Sequence, residues 1–305
     1  MTSTAASAGN PQRPMVLASA ALVLGAVAMG ASPIFVRLAD VGPYASAFWR
    51  CALALPFLAL WAMRENGGIA AAARGVDKAV LLSGLFFAGD LFFWHLSILA
   101  TTVANATFFA TTAPIWVALG AWLFLREAIR ARTLGGIALC ILGGFALVGQ
   151  SVGFAPQRLQ GDLFGLITAI FFGCYMLTIR AARARLGAGQ LAFVSTAITT
   201  GVLFVVALAL EPTILPQSLQ GLLALLALAL VSQVGGQGLL AVALGTLPAT
   251  FSSLVIFLEA IAAAALAWLI LDEALGPLQW LGGLLILGGI YVARPRRRAE
   301  TGVAL

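Results

Sequence analysis

An acid, an indole and an imidazole lie inside one long apolar run, GDLFFWHLS (89–97). Asp90 and Trp94 are four positions apart and share a helix face, whereas His95 is turned by about 100° from Trp94. An ionisable group in mid-membrane costs at least about 2.5–3.5 kcal/mol, so it normally faces a cavity or a partner. For Asp90 the pattern favours ligand binding over a hydrogen bond that only stabilises packing; for His95 both roles stay open.

Two glutamines repeat this arrangement later in the chain. Gln233 and Gln237 lie 143 positions after Asp90 and Trp94, and they again share a helix face. If the two segments are aligned copies, two symmetry-related helices present polar groups at comparable depth. We therefore predict a polar cavity between them.

Other apolar segments carry further candidate side chains. One polar and aromatic stripe lies within 105–112 and a second within 172–175, and a serine in the first apolar segment aligns with the second stripe. Aromatic faces can enclose an apolar side chain, although core packing explains most such residues taken singly. Glu259 is the deepest acid of the second half, where it either carries a proton or pairs structurally. The predicted substrate-binding residues are Ser32, Asp90, Trp94, His95, Asn105, Phe108, Phe109, Thr112, Phe172, Tyr175, Gln233, Gln237 and Glu259.

Arg50 lies some six residues into the second apolar segment, at a helical rise of about 9 Å. Its guanidinium can bind a substrate carboxylate there. It can also extend along its apolar stem to the membrane surface, and the sequence favours this second interpretation.

Composition identifies the setting of these residues. The chain is 62% hydrophobic and 9% charged, with a mean hydropathy of +1.04, whereas soluble domains are about a quarter charged. A helix needs about 20 mostly apolar residues to cross the hydrocarbon core. The sequence therefore predicts an all-α polytopic membrane protein with ten transmembrane helices, near residues 15–37, 44–63, 77–98, 102–125, 131–150, 161–181, 189–210, 217–243, 247–271 and 277–294.

The second half of the chain repeats the first. AWLFLREA (121–128) returns as AWLILDEA (267–274), 146 positions later. Each copy has five spans, and because five is odd, the two copies must cross the membrane in opposite senses. The predicted segments are a disordered N-terminus (1–14), a first five-helix repeat (15–150), a linker (151–160), an inverted second repeat (161–294) and a basic tail (295–305).

The loop charges agree with this inversion. Of 17 lysines and arginines, 14 fall on the side of the N-terminus, which leaves Arg37 and Arg158 opposite and Arg50 within a span. Arg126 aligns with Asp272, as expected if these aligned loops lie on opposite sides and cations are kept mainly on the cytoplasmic one. The asymmetry predicts that both termini lie in the cytoplasm. Glu127 and Glu273 persist in both copies, and we expect each to cap the helix that follows.

Inverted repeats are characteristic of secondary transporters. With AWLFLREAIRARTLGGIALCILGG (121–144) and LEAIAAAALAWLILDEALGPLQWLGGLLILGG (258–289), the chain resembles the EamA-like, ten-helix branch of the drug/metabolite transporter superfamily. The resemblance implies a bacterial inner-membrane exporter of amino acids and related metabolites, with alternating access between the repeats. The alternatives are an exporter of amphipathic or cationic drugs and a membrane scaffold or receptor. Family members often carry Pro after the Glu of the ninth helix, where this chain has Ala260; Pro114 is the aligned residue, which predicts a one-sided helix distortion.

Several other function classes are disfavoured. GQSVG (149–153) matches a serine-nucleophile pattern, but it ends a predicted membrane helix, and the single histidine lies in another. No spacing of His, Cys and carboxylate suggests a metal, and no phosphate-binding loop follows a strand. We predict no enzyme activity, cofactor or nucleic-acid partner. The expected partners are a small-molecule substrate and lipid.

Glycine pairs predict where helices pack closely. They occur in the fifth and tenth apolar segments, and such small residues allow close packing within one chain or across a homodimer; the chain is otherwise expected to be a monomer. These residues are Gly135, Gly136, Gly143, Gly144, Gly282, Gly283, Gly288 and Gly289.

Overall fold

The computed structural model describes residues 12–101, 103–110, 112–148, 156–271 and 276–294, and throughout these ranges the regular structure is helical. The first half contains span 1 (Gln12–Gly30 and Ser32–Leu38), span 2 (Pro43–Ala52 and Leu55–Arg64), span 3 (Lys78–Ala100), span 4 (Val103–Ala110 and Ala113–Phe124) and span 5 (Ala131–Val148). The second half contains span 6 (Leu159–Ala182), span 7 (Ala188–Leu210), span 8 (Leu219–Ala227, Leu228–Gln237 and Gly238–Leu244), span 9 (Ala249–Val255 and Leu258–Leu271) and span 10 (Pro277–Ala293). Short helices at Gly68–Arg74 and Pro156–Arg158 lie in loops.

Within these ranges, seven helical segments are long and apolar enough to cross a membrane: Pro14–Leu38, Pro43–Arg64, Lys78–Ser97, Leu159–Ala182, Ala188–Leu210, Leu219–Leu244 and Ala249–Leu266. Three shorter apolar helices, Phe108–Phe124, Ala131–Leu147 and Pro277–Ala293, complete the ten predicted spans. The predicted all-α polytopic fold is thereby confirmed.

Local signals set where several helices begin. The Asp77 carboxylate accepts a hydrogen bond from the Val80 N–H (3.0 Å) and caps span 3, and the Ser218 hydroxyl accepts one from Gly221 (3.0 Å) and caps span 8. Pro43 and Pro277 occupy the first turns of spans 2 and 10, where a helix has no intrahelical use for an N–H. These signals match the boundaries that the sequence predicts.

Spans 4 and 9 are both interrupted, at aligned positions. In span 4, Thr112 lies in a tight turn close to Pro114, in which its N–H donates to the Phe109 carbonyl (3.1 Å). Span 9 breaks at Ile256–Phe257 without a proline, through a tight turn in which the Glu259 N–H donates to the Ile256 carbonyl (2.8 Å). The prediction of a one-sided distortion is therefore wrong. Irregular backbone at membrane depth is tolerated where it lines a cavity, and that is where both breaks lie.

The helices pack with pseudo-two-fold symmetry. Span 3 packs on span 6, and its counterpart span 8 packs on span 1. Spans 2 and 7, 4 and 9, and 5 and 10 each pack on one another. Exchanging the two halves leaves this set of pairs unchanged, as an axis between two inverted repeats requires.

Spans 5 and 10 cross directly on that axis. A Cβ added to Gly136 would lie 2.7 Å from the Gly289 carbonyl oxygen, and one added to Gly143 would lie 2.6 Å from that of Gly282. Near the crossing point, Cys140 donates from its Sγ to the carbonyl of Ile286, its aligned residue, 146 positions away (3.6 Å). The two helices thus run antiparallel, and these four glycines pack within one chain.

This crossing gives a first prediction. Gly136→Ala should lower the thermal stability of the purified protein in detergent, because overpacking costs about 1–3 kcal/mol and outweighs the gain of about 1 kcal/mol in helix propensity. Gly135→Ala is the matched control, because nothing lies within 4 Å of its added Cβ. Equal melting temperatures for the two variants would contradict the close contact.

Two carboxylates also join the halves, at opposite ends of the bundle. Glu65, at the end of span 2, accepts hydrogen bonds from the backbone of Gly189 and Gln190 at the start of span 7 (2.8 and 2.9 Å). Its aligned residue Glu211, at the end of span 7, accepts from Tyr44 and Ala45 at the start of span 2 (2.5 and 3.2 Å). Each half therefore caps a helix of the other.

Candidate functional site

A cavity of about 420 Å³ lies near the pseudo-two-fold axis. Its walls come from spans 1, 2, 3, 4, 6, 8 and 9, so both halves contribute to it. We call the end of the bundle that carries Arg64, Arg132 and Arg185 the basic end, and the end that carries Arg37, Asp40 and Glu211 the mouth end. The cavity therefore lies where two inverted repeats meet.

The structure brings six of the thirteen predicted residues together at this cavity: Ser32, Asp90, Trp94, Phe172, Gln237 and Glu259. It places six others outside the lining: His95, Phe108, Phe109, Thr112, Tyr175 and Gln233. The Asn105 side chain falls outside the part of the chain whose side chains are described. Roles in substrate binding remain predictions for all thirteen.

Side chains outside the lining have clear structural environments. His95 is buried, with Nδ1 at 2.5 Å from the Leu91 carbonyl and its ring against Trp94 and Tyr44. Tyr175 stacks on Phe87, a residue of the cavity wall, with ring centroids 4.7 Å apart. The Thr112 hydroxyl donates to the Phe109 carbonyl (2.7 Å). These residues pack next to residues of the cavity wall and do not face the cavity themselves.

Arg50 is the most consequential residue that sequence reasoning placed elsewhere. It is 7% exposed and lines the cavity, instead of extending to the membrane surface. Its Nε donates to Gln233 Oε1 (3.1 Å), and its guanidinium carbon lies 5.8 Å from the centre of the Phe87 ring. The sequence contained one indication that Arg50 is buried. Gln233 is a polar residue at the depth of Asp90, and a buried amide needs a hydrogen-bond partner.

Two carboxyl groups share the cavity with Arg50. Asp90 and Glu259 both line it, and the Arg50 guanidinium acts electrostatically on each. Among the described residues, neither side chain has a hydrogen bond, and neither comes within 4.0 Å of a cation. One positive and two acidic groups therefore face a common space without direct contact.

Uncharged polar atoms also point to this space. The Thr168 hydroxyl and the Gln237 Oε1 are buried with no hydrogen-bond partner among the described atoms, and both residues line the cavity. Gln237 lies at the end of the π-helical Leu228–Gln237 segment, a rare geometry that is frequent at functional sites. Because unpartnered buried polar groups are uncommon, these atoms are available for a ligand. Sequence reasoning missed Thr168, which follows no stripe.

The cavity is open at one end and closed at the other. At the mouth end its lining reaches Arg37 and Leu38, both exposed. Towards the basic end, Met176, Ile179 and Leu244 are almost completely buried. Among the described residues, the lining therefore opens towards the mouth end and is closely packed towards the basic end.

Two arginines at the end of span 6, Arg180 and the C-cap residue Arg183, connect it to span 8 at the basic end. Arg183 Nε donates to the Ala241 carbonyl (2.8 Å), and Arg180 Nη1 donates to the Leu244 carbonyl (3.1 Å), both near the end of span 8. Arg180 also lies 3.9 Å from Glu127. Span 5 begins only at Ala131, so the prediction that Glu127 caps it is wrong; Glu273 lies outside the described residues.

Two antiparallel five-span repeats around a cavity with apolar walls and a few polar groups, open at one end, are typical of a membrane transporter for small molecules. A family model described as the EamA-like transporter family matches residues 16–149 and 159–294. The chain therefore belongs to this family of the drug/metabolite transporter superfamily, and it is a multi-pass transporter and not an enzyme.

Individual relatives agree with this class. The chain is 29% identical to the "Probable amino-acid metabolite efflux pump" of Escherichia coli over 203 residues. This aligned region covers 64% of this chain and 66% of that protein. Over 240 residues it is 26% identical to the pseudopaline exporter CntI of Pseudomonas aeruginosa, with 79% and 82% covered. A solved structure titled "Crystal structure of protein" superposes with a TM-score of 0.78 at 17% identity, over 93% of this chain and 97% of that chain, and supports the fold alone.

Proposed function

We propose that the protein exports small metabolites, above all amino acids with apolar or aromatic side chains, by alternating access through the central cavity. The observation that carries this proposal is the cavity itself, which has one buried guanidinium, a second one at its mouth, two carboxyl groups and apolar walls between two inverted repeats. Its volume and its few convergent polar groups suit a small amphipathic ligand. The likeness to the efflux pump of Escherichia coli supports the same substrate class.

The direction of transport in this proposal depends on the orientation of the bundle. Cations accumulate on the cytoplasmic side of membrane proteins, and this rule supports an orientation with the basic end and both termini in the cytoplasm of a bacterial inner membrane. The mouth end then faces outward. This conformation is accordingly one that releases an exported molecule.

Amphipathic cations are a second candidate substrate class. The cavity lining has two carboxyl groups and two guanidiniums, but the Arg37 guanidinium lies at the exposed mouth end, so in the buried part a lone cation would find more counter-charge than a lone anion. Family membership does not choose between these classes, since one relative exports pseudopaline.

Efflux from proteoliposomes distinguishes the two classes. Liposomes loaded with labelled leucine or phenylalanine should release it faster with the protein than without it, and Trp94→Ala or Gln237→Ala should slow release, because both residues line the cavity. Liposomes loaded with an organic cation such as ethidium serve as the comparison. Release of ethidium together with retention of every amino acid in a broad panel would reject the amino-acid proposal.

A further inference from the structure

The guanidinium of Arg50 is held in a fixed orientation by neighbouring spans. Its Nε donates to Gln233 Oε1 (3.1 Å), and the Nε2 of the same amide donates to the Thr196 hydroxyl (3.1 Å). Span 2 is thus connected through span 8 to span 7. Since one end of the Gln233 amide accepts and the other donates, both neighbours fix its orientation, and this in turn fixes the plane of the guanidinium.

The outer edge of that guanidinium is free. Among the described residues, none accepts a hydrogen bond from the Nη groups of Arg50 or places a carboxylate within 4.0 Å of them. Arg50 is nonetheless buried, and it lines the cavity. A planar fork with its Nε already occupied presents Nη1 and Nη2 side by side, the geometry that binds a carboxylate through two parallel hydrogen bonds.

The two acids of the cavity stabilise the buried charge of Arg50 while its Nη groups stay free of hydrogen bonds to the described residues. Asp90 and Glu259 act electrostatically on it across the cavity but do not contact it. A purely structural counter-ion would be expected in direct contact, because attraction compensates for lost hydration best at short distance. All three residues instead line one cavity of about 420 Å³, a volume that suits a small ligand between opposite charges.

We propose that Arg50 binds the carboxylate of the transported molecule through Nη1 and Nη2, with Gln233 as its positioning residue. The substrate is then zwitterionic: its ammonium group faces Asp90 and Glu259, and its side chain lies against the apolar wall that includes Trp94 and Phe172. This inference rests on the proposed function and narrows it to molecules with an unblocked carboxylate. Arg50 becomes the residue that distinguishes amino acids from amines of similar shape.

A pair of ligands tests the proposal on the unaltered protein. In counterflow of labelled L-phenylalanine, unlabelled L-phenylalanine and L-phenylalaninamide are compared as competitors at a pH where both amino groups are protonated. The amide should compete about 100-fold more weakly, since it lacks the charge-assisted pair of hydrogen bonds. Equal competition would overturn the proposal without any variant having to fold.

Variants test the residue itself. Arg50→Gln should reduce L-phenylalanine transport about 100-fold, and Arg50→Lys about tenfold, because an ammonium keeps the charge but not the fork. Gln233→Ala should raise KM and leave kcat nearly unchanged. Arg64→Gln, in the exposed end of the same span, is the matched control and should behave as wild type.

Failures of the two proposals are distinguishable. Wild-type protein that moves no amino acid above empty liposomes rejects the exporter of amino acids, and the role of Arg50 with it. Wild-type protein that moves L-phenylalanine, while Arg50→Gln moves it as well as Arg64→Gln does, rejects only the role of Arg50.

Discussion

Replacing Arg180 and Arg183 together by alanine should open the basic end of the cavity. Both guanidiniums donate to carbonyl groups near the end of span 8, and each charge-assisted bond is worth about 1.5–3 kcal/mol. Losing both shifts the equilibrium between the two access states by about two to four orders of magnitude. The variant should therefore populate a state in which the cavity faces the basic end.

Thiol labelling from each side of the membrane measures this shift. Ile256 lines the cavity and is partly exposed, so Ile256→Cys is introduced after Cys51, Cys140 and Cys174 are replaced by serine. A membrane-impermeant maleimide should label it only from the mouth side in the parent, and from the basic side as well in the double variant. Arg132→Ala, an exposed arginine of the same end, is the control. Unchanged labelling of the double variant would show that these bonds do not close the cavity.

Asp90→Asn and Arg50→Gln should each destabilise the protein, yet the double variant should be more stable than the sum of their effects predicts. Each single change leaves the remaining charge in a low-dielectric cavity with less compensation. Coupled charges of this kind show interaction energies of about 0.5–3 kcal/mol. Transport should not recover in the double variant, because both charges are expected to bind substrate.

A double-mutant cycle separates these two contributions. Thermal unfolding in detergent of the four proteins gives the coupling in stability, and efflux from proteoliposomes gives the coupling in transport. Strictly additive losses of stability would mean that Asp90 and Arg50 do not compensate one another. Recovery of transport in the uncharged pair would mean that the charges serve folding only.

The fold was accessible from sequence because the bilayer imposes a simple rule on it. Apolar stretches of membrane length, separated by charge, glycine and proline, predicted the ten spans. The odd number of spans in each copy predicted the antiparallel packing that the Gly136–Gly289 and Gly143–Gly282 contacts display. The interruption of span 9 was missed, because a tight turn without proline or glycine has no sequence signal.

The site was only partly accessible, for a geometric reason. Helical spacing shows which residues share a face, but not which neighbouring span that face meets. Asp90 and Trp94 share a helix face and both line the cavity. Gln233 and Gln237 were predicted to share a face as well, but only Gln237 lines the cavity, whereas Gln233 accepts a hydrogen bond from Arg50. Depth along span 2 could not distinguish a surface-reaching Arg50 from a buried one, because both lie at the same rise along the helix axis.

The caps formed by Glu65 and Glu211 resemble an isologous interface, in which two units use the same surface to contact each other. Here the end of span 2 contacts the start of span 7, and the end of span 7 contacts the start of span 2. Two separate, identical five-span units would make this contact only if they inserted in opposite senses. The covalent connection between spans 5 and 6 fixes that pairing during synthesis. It also allows the two copies to differ in sequence, so that an acid in one half aligns with an amide in the other. The two sides of the cavity can then differ in charge, which two identical subunits cannot provide. Such a cavity can distinguish the two ends of a polar molecule.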